Sequence, residues 1–319
     1  MKKILILLVC ISFTFLFACN KPEKEEIINT TNATKDTNTT TKKVVTSRIN
    51  LEKSDTFNGN INIKNTINNT VFFQKINFSQ VVDLNFTMDV LSTSKTGYEI
   101  EVLFNDCSID SEFKDLDVPQ IIDPFNTLNE FAKELNGKSF ILAIDENGKV
   151  VDIKNWQIDP KYMENAEAYN EINKYFSKNS LAMIFEKITY TGPNTINEDD
   201  SWSYSFAFNN TIPIQSECTY NCIDINDYYY VIDVTNSKNS KATSNKISFP
   251  SISGNAKIID SSKGDLLISK NKGIAKRASI TFDCNANIND LTLLNLKIPA
   301  SITLSPLTTL KIELNIPLV

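Results

Sequence analysis

Beyond residue 55 the chain repeatedly alternates apolar and polar side chains with a period of two, and that pattern admits few architectures. Val82, Leu84, Phe86, Met88 and Val90 are separated by Val81, Asp83, Asn85, Thr87 and Asp89. Ser92 to Gly97 supplies a turn, and Tyr98, Ile100, Val102 and Phe104 continue the pattern on the return. Trp202, Tyr204, Phe206 and Phe208 alternate with Ser201, Ser203, Ser205 and Ala207. Tyr228, Tyr230, Ile232 and Val234 repeat it, as do Ile280, Phe282, Cys284, Ala286 and Ile288, and finally Leu310, Ile312, Leu314 and Ile316. Successive side chains of a strand point to opposite faces, so each run offers one face to a core and one to water. Patterning of this extent means antiparallel sheet. Cys218, Tyr220 and Cys222 share one parity and are expected to face inward together.

Two helical segments interrupt the strands. The first is expected over 124–136: Asp123 suits an N-cap, Pro124 the first helical position and Gly137 the C-cap, around a stripe of Phe125, Leu128, Phe131, Ala132 and Leu135. The second is expected over 163–186, with a break near Ser177 to Asn179 and a stripe of Ala166, Tyr169, Ile172 and Phe176 continued by Leu181, Ala182, Ile184 and Phe185. Between them Phe140 to Ile144 and Val150 to Ile153 form a hairpin about Asp145-Glu146-Asn147-Gly148. The run Asp260 to Gly264 has the same turn chemistry and predicts a second turn.

The N-terminus is different material. Lys2 and Lys3 precede an apolar stretch from Ile4 to Phe17, too short for the roughly 20 residues that span a bilayer but suited to a secretory signal. Its ending, Leu16-Phe17-Ala18-Cys19, resembles the lipobox of bacterial lipoproteins. That resemblance implies removal of residues 1–18, acylation of Cys19 and retention on a membrane of the cell envelope. The outer membrane or the cell surface is favoured over the inner membrane. Residues 19–48 hold eight threonines among Asn, Lys and Glu, with few large apolar side chains. Such a segment buries too little to offset its ordering entropy and reads as a flexible tether. Its Asn-x-Thr triplets are composition. Residues 49–319 are then a single antiparallel β domain, half-barrel or barrel-like, with two short helical insertions.

Composition removes many chemistries. The formal charge is -6, and -8 once Lys2 and Lys3 leave with the signal, 30 basic residues against 38 acidic. An acidic body without a basic cluster argues against nucleic acid and against direct adhesion to anionic lipid. Histidine is absent, so Ser-His-Asp, Cys-His and His-containing zinc sites are impossible. The adjacent Asp199 and Asp200 read as a solvated turn, and no glycine-rich phosphate loop is present. No cofactor, metal or catalytic residue is expected. Cys107, Cys218, Cys222 and Cys284 remain after the signal and the lipidated Cys19. Small buried residues, disulfides and a thiolate metal site are all open to them. Cys218 cannot bridge Cys222 along one strand, because their Cα atoms would stand roughly 13 Å apart against a limit of about 7 Å.

An order of features across residues 50 to 290 resembles a family of bacterial lipoproteins known only as a domain of unknown function. It comprises Gly137-Lys138-x-Phe140, Asp145-x-x-Gly148-x-Val150, a helical stretch, Ser201-Trp202, a tyrosine-rich strand, and Gly254-x-Ala256 ahead of Asp260 to Gly264. The family pattern has a glycine where this chain has Asp199, which leaves the form of that turn open. The family supplies no catalytic residues. More distantly, a long sheet with a helical insert is similar to the half-barrels of outer-membrane lipoprotein carriers and their lipid-binding relatives.

Two non-catalytic functions follow. In one, the sheet holds a hydrophobic small molecule or lipid in a cavity lined by Phe86, Phe104, Trp202, Tyr204, Phe206, Phe208, Tyr230 and Phe282. In the other, these aromatics are plain core and the protein is a structural or surface-interaction component of the envelope.

Overall fold

The computed structural model describes residues 43–317, apart from 72–73, 115–118, 191, 210–212, 237–242, 249–251, 294–295 and 298–301. The signal, Cys19 and residues 20–42 of the expected tether lie outside the described residues. Among the described residues, sixteen strands and three α-helices follow one another. They are β1 (Val44–Thr46), β2 (Thr56–Val71), β3 (Gln74–Ser94), β4 (Gly97–Lys114), α1 (Pro119–Lys133), β5 (Ser139–Asp145), β6 (Val150–Lys154), α2 (Ala166–Phe176) and α3 (Lys178–Thr189). Then come β7 (Thr195–Asn197), β8 (Ser201–Asn209), β9 (Pro213–Ile225), β10 (Tyr229–Asn236), β11 (Thr243–Ser248), β12 (Ile252–Ser269), β13 (Ala275–Leu293), β14 (Leu296–Lys297), β15 (Ile302–Leu304) and β16 (Pro306–Leu314).

One antiparallel sheet carries fourteen of the strands. It runs from β6 through β5, β4, β3 and β2 to β15 and β16, then through β13, β12, β10 and β9 to β8. β15 and β16 share the slot between β2 and β13, and β11 and β14 extend the pairing of β12 and β13. β6 and β8 are the two edges, so the sheet is not closed into a barrel. The expected alternation sets which face is inside: Val82, Leu84, Phe86, Met88 and Val90 are buried, as are Leu310, Ile312, Leu314 and Ile316.

The helices lie against that face. Phe185 of α3 packs edge-on against Phe86 of β3 and Phe140 of β5, at 5.2 and 5.4 Å between ring centroids. Glu186 accepts a hydrogen bond from the Val150 amide on β6. The next residue, Lys187, feels the Cys218 thiol on β9, near the opposite edge. One helix thus meets both ends of the strand order, which requires a sheet curled around it. Ser177 breaks the helical stretch as expected: its hydroxyl caps α3 by accepting from the Ser180 amide. Gly59 of β2 leaves room for the Phe86 ring, because a Cβ there would lie 2.5 Å from it.

Three local expectations are corrected. α1 opens at Pro119, not at Pro124; Pro119 also fits a first-turn position, and Pro124 then leaves one carbonyl without its helical partner. The turn expected at Asp260 to Gly264 is strand interior, paired from Asp260↔Cys284 to Gly264↔Ile280. Gly264 serves close approach there, since a Cβ would lie 2.1 Å from the Ser279 carbonyl oxygen; the true turn follows at 270–274 with Gly273 at φ +66°. Order also reaches into the span read as tether. β1 pairs with β7, Val45 and Ser47 are buried, and the Ser47 hydroxyl is 2.7 Å from the Tyr230 hydroxyl. Asp199 adopts φ 72°, the left-handed region that glycine favours and that Asp tolerates better than most residues.

Candidate functional site

Strand register lines up the inner-face residues in rows. One row runs Cys107, Leu84, Ile61, Ile312, Ala278, Leu266, Ile232 and Cys222, all buried. The next runs through Ile109, Val82, Ile63, Leu310 and Ile280. The row after that changes character. Ser111 pairs with Gln80, Gln80 with Asn65, Asn65 with Thr308, Thr308 with Phe282, and Phe282 with Ser262.

Gln80, Asn65, Thr308 and Ser262 are buried, Ser111 is half-buried, and the groups are joined. Thr308 Oγ1 donates to Asn65 Oδ1 at 2.7 Å. Asn65 Nδ2 donates to the Tyr175 hydroxyl, which donates to Gln80 Oε1. Gln80 Nε2 donates to Ser111 Oγ at 3.0 Å. The Cys218 thiol and the Ser262 hydroxyl are within hydrogen-bond distance on the far side of Phe282. Tyr175 reaches the row from α2, and burial, then the Glu171 carboxylate, push its hydroxyl well above the usual tyrosine range. Beyond the row, Ile67, Phe78 and Phe125 form an apolar cluster separate from the main core, with the two rings 5.1 Å apart.

The expected cavity residues divide between the two readings. Phe86, Phe104, Tyr230 and Phe282 are between 0 and 6% exposed. Phe104 packs against Phe140 and Trp156 at 5.8 and 5.9 Å, and Phe86 against Phe185, so protein covers both rings. Trp202 is half-buried over Tyr220, and its indole N–H is buried without a hydrogen-bond partner. Tyr204, Phe206 and Phe208 are held in register by β9, but their side chains lie outside the described residues. Cys107, Cys218 and Cys222 are buried thiols, and the Cys284 side chain is outside the described residues. Burial, with Asp106 next, pushes Cys107 up to about 12, and burial pushes Cys222 up to about 11.

The sequence reading missed the polar row and the charged residues of α2. The row's trace in each strand is one polar residue at an apolar parity, such as Asn65 between Ile63 and Ile67. In α2 the expected stripe is shifted: Ala166 is exposed and Tyr169 half-buried, while Ala168, Glu171, Ile172, Lys174, Tyr175 and Phe176 are buried. Among the described residues no group of His, Cys, Asp and Glu is arranged to hold a metal ion, and no helix is long and apolar enough to cross a membrane.

Residues 95–275, more than half of the chain, match the family described as a family of unknown function, DUF6263. The chain belongs to this family. The DUF6263 match takes in β4 to β12 and all three helices, and so includes the buried face of α2. No curated protein sequence matches the chain. Among solved structures, the DUF6263 chain is similar to lipovitellin, in a structure described by its lipid–protein interactions, at 9% identity and a TM-score of 0.42. That match covers 83% of this chain and 26% of lipovitellin, so the chain spans about a quarter of that protein. A second similarity, at 10% identity and a TM-score of 0.19, is to the COG4313 outer membrane channel from Pseudomonas putida F1, covering 84% of this chain and 97% of the channel. Neither likeness assigns a function.

Proposed function

We propose that the protein is a lipid-anchored, non-catalytic component of the bacterial cell envelope that holds a hydrophobic molecule on the part of the sheet beyond the polar row. The observation that carries this is the division of the inner face. On one side of the row, α2 and α3 fill the curl. On the other, the strands run on: Val71 lies six residues past Asn65, about 20 Å, and Ile252 ten residues before Ser262, about 33 Å. Pairing sets apolar residue types side by side in further rows there, Ile258–Ala286–Leu304 and Ala256–Ile288–Ile302. The Ile67, Phe78 and Phe125 cluster would form the floor of such a site. Cys19 would supply the anchor, since stable attachment needs more than one acyl chain.

The test is lipid extraction from the full-length protein purified out of cell envelopes in mild detergent. A stoichiometric non-covalent lipid, in addition to the chains on Cys19, is expected. Its absence, together with no uptake of a fluorescent fatty-acid analogue, would overturn the ligand reading. Cys19→Ala should release the protein from the membrane fraction, and a variant that stays bound would overturn the anchor. The packing of Phe86 and Phe104 favours the second reading, a filled structural or surface-interaction protein, and an extract free of non-covalent lipid would establish it.

A further inference from the structure

From Ala168 to Phe176 every residue of α2 is buried or half-buried, although the helix carries Asn170, Glu171, Asn173 and Lys174. Glu171 and Lys174 are the anomaly. Their side chains are 1 and 4% exposed, and the Lys174 ammonium is 3.8 Å from Glu171 Oε2, beyond hydrogen-bond length. Neither carboxylate oxygen nor the ammonium has any hydrogen-bond partner. A lysine has three donors and a carboxylate about four acceptor positions, and burying both unsatisfied is costly. One residue on, Tyr175 is bonded into the polar row. The pair therefore lies beside the polar row, close enough for the Glu171 charge to act on Tyr175.

We propose that Glu171 and Lys174 form the head site of a bound amphiphile whose zwitterionic head carries a phosphate and a primary ammonium. The ammonium donates to the two free oxygens of Glu171, and the phosphate accepts from Lys174. The pair is neutral in sum, so a zwitterion leaves no net buried charge, whereas an anionic head would set a second negative charge beside Glu171. A quaternary ammonium has no N–H to donate and leaves the carboxylate unsatisfied. The acyl chains pass Phe78 and Ile67 into the rows beyond. This rests on the hydrophobic-ligand reading above and names the head of that ligand.

Native mass spectrometry of the full-length protein in detergent tests it, because covalent acyl mass is distinguished from retained lipid. The probes are dioleoyl phosphatidylethanolamine, phosphatidylcholine, phosphatidylglycerol, diacylglycerol and free glycerophosphoethanolamine. Phosphatidylethanolamine should exceed the other two phospholipids by about ten- to a hundredfold, the ratio one charge-assisted hydrogen bond supplies. Glu171→Gln should bring it down to the level of phosphatidylcholine. Because a single change strands the other charge, the double variant Glu171→Gln, Lys174→Met is the control; replacing a buried pair together is tolerated, and it should keep diacylglycerol while losing all choice of head. Equal retention of every lipid, or a choice unchanged in the double variant, overturns the head site and leaves the hydrophobic-ligand reading standing. Retention of nothing overturns both, with water satisfying the pair. Free glycerophosphoethanolamine bound as tightly as the lipid overturns the acyl part.

Discussion

Lys187 is a lysine in the last turn of α3, and it is buried. Burial pushes its ammonium down to about 8, against the opposing pull of Glu186 and Cys218. An unfolded lysine titrates near 10.4. Between about pH 8 and 10.4 the unfolded chain therefore holds a proton that the folded chain has released, and stability rises with pH by up to about 1.4 kcal/mol per unit. Below about pH 8 both states are protonated and the folded state carries the whole penalty, about 3 kcal/mol. Methionine has similar length and no charge. Lys187→Met should thus stabilise the protein by about 2 to 3 kcal/mol at pH 7, and the gain should shrink toward zero by about pH 10.5. The thiols of Cys107 and Cys222, raised by burial, work the other way: unfolded thiols ionise near 8.5, so their contribution falls as pH rises. They are common to both proteins and cancel in the difference. Urea unfolding of parent and variant at pH 7, 8, 9 and 10 reads that difference directly. A gain that does not change with pH, or a loss of more than about 1 kcal/mol at pH 7, would show that what Lys187 contacts outweighs its desolvation and would refute the argument.

Two further substitutions probe the two sides of the polar row. Tyr175→Phe keeps the ring but leaves Asn65 Nδ2 and Gln80 Oε1 without their partner, so chemical denaturation should record a loss of about 2 to 5 kcal/mol; a loss under about 1 kcal/mol would mean that water takes the hydroxyl's place. Phe86→Ala, on the filled side against Phe185 and Gly59, should cost about 3 to 5 kcal/mol while leaving lipid retention unchanged. Lost retention with little lost stability would move the ligand into the main core.

What could be read in the sequence was whatever a single strand decides for itself. The buried parity of β3, of β16 and of Cys218, Tyr220 and Cys222 follows from the pleat alone. The hairpin at Asp145 was legible for the same reason: its carboxylate accepts from the Asn147 and Lys149 amides, a bonding pattern written in adjacent residues. What a strand does against a distant neighbour was hidden. Gly264 looks like a turn residue until Ser279 is placed beside it, and Val44–Thr46 looks like tether until β7 is there to pair with it. Glu171 and Lys174 read as solvated because helical charges usually are; only the curl of the sheet around α2 buries them. The face that carries the candidate site was therefore visible, and the site itself was not.

The polar row also answers a question that alternation leaves open. A slip of one residue between two strands turns every side chain to the wrong face and is strongly excluded. A slip of two residues is not, because it restores the same parity and sets apolar against apolar almost everywhere along β2, β3 and β16. At Asn65 it does not. Shifted by two against β3, Asn65 would face Phe78 or Val82 in place of Gln80, and Tyr175 could no longer bridge the two amides. Each buried amide or carbonyl left unpaired would cost about 1 to 3 kcal/mol, a large part of a domain's net stability of roughly 5 to 15 kcal/mol. Buried polar groups add little to stability over a well-packed apolar core, and their best-attested structural role is to single out one register. In a sheet whose strands reach twenty-one residues, one hydrogen-bonded row spanning Ser111 to Thr308 suffices to fix the alignment of β4, β3, β2 and β16, and with it the place where α2 brings Glu171 and Lys174 to the inner face.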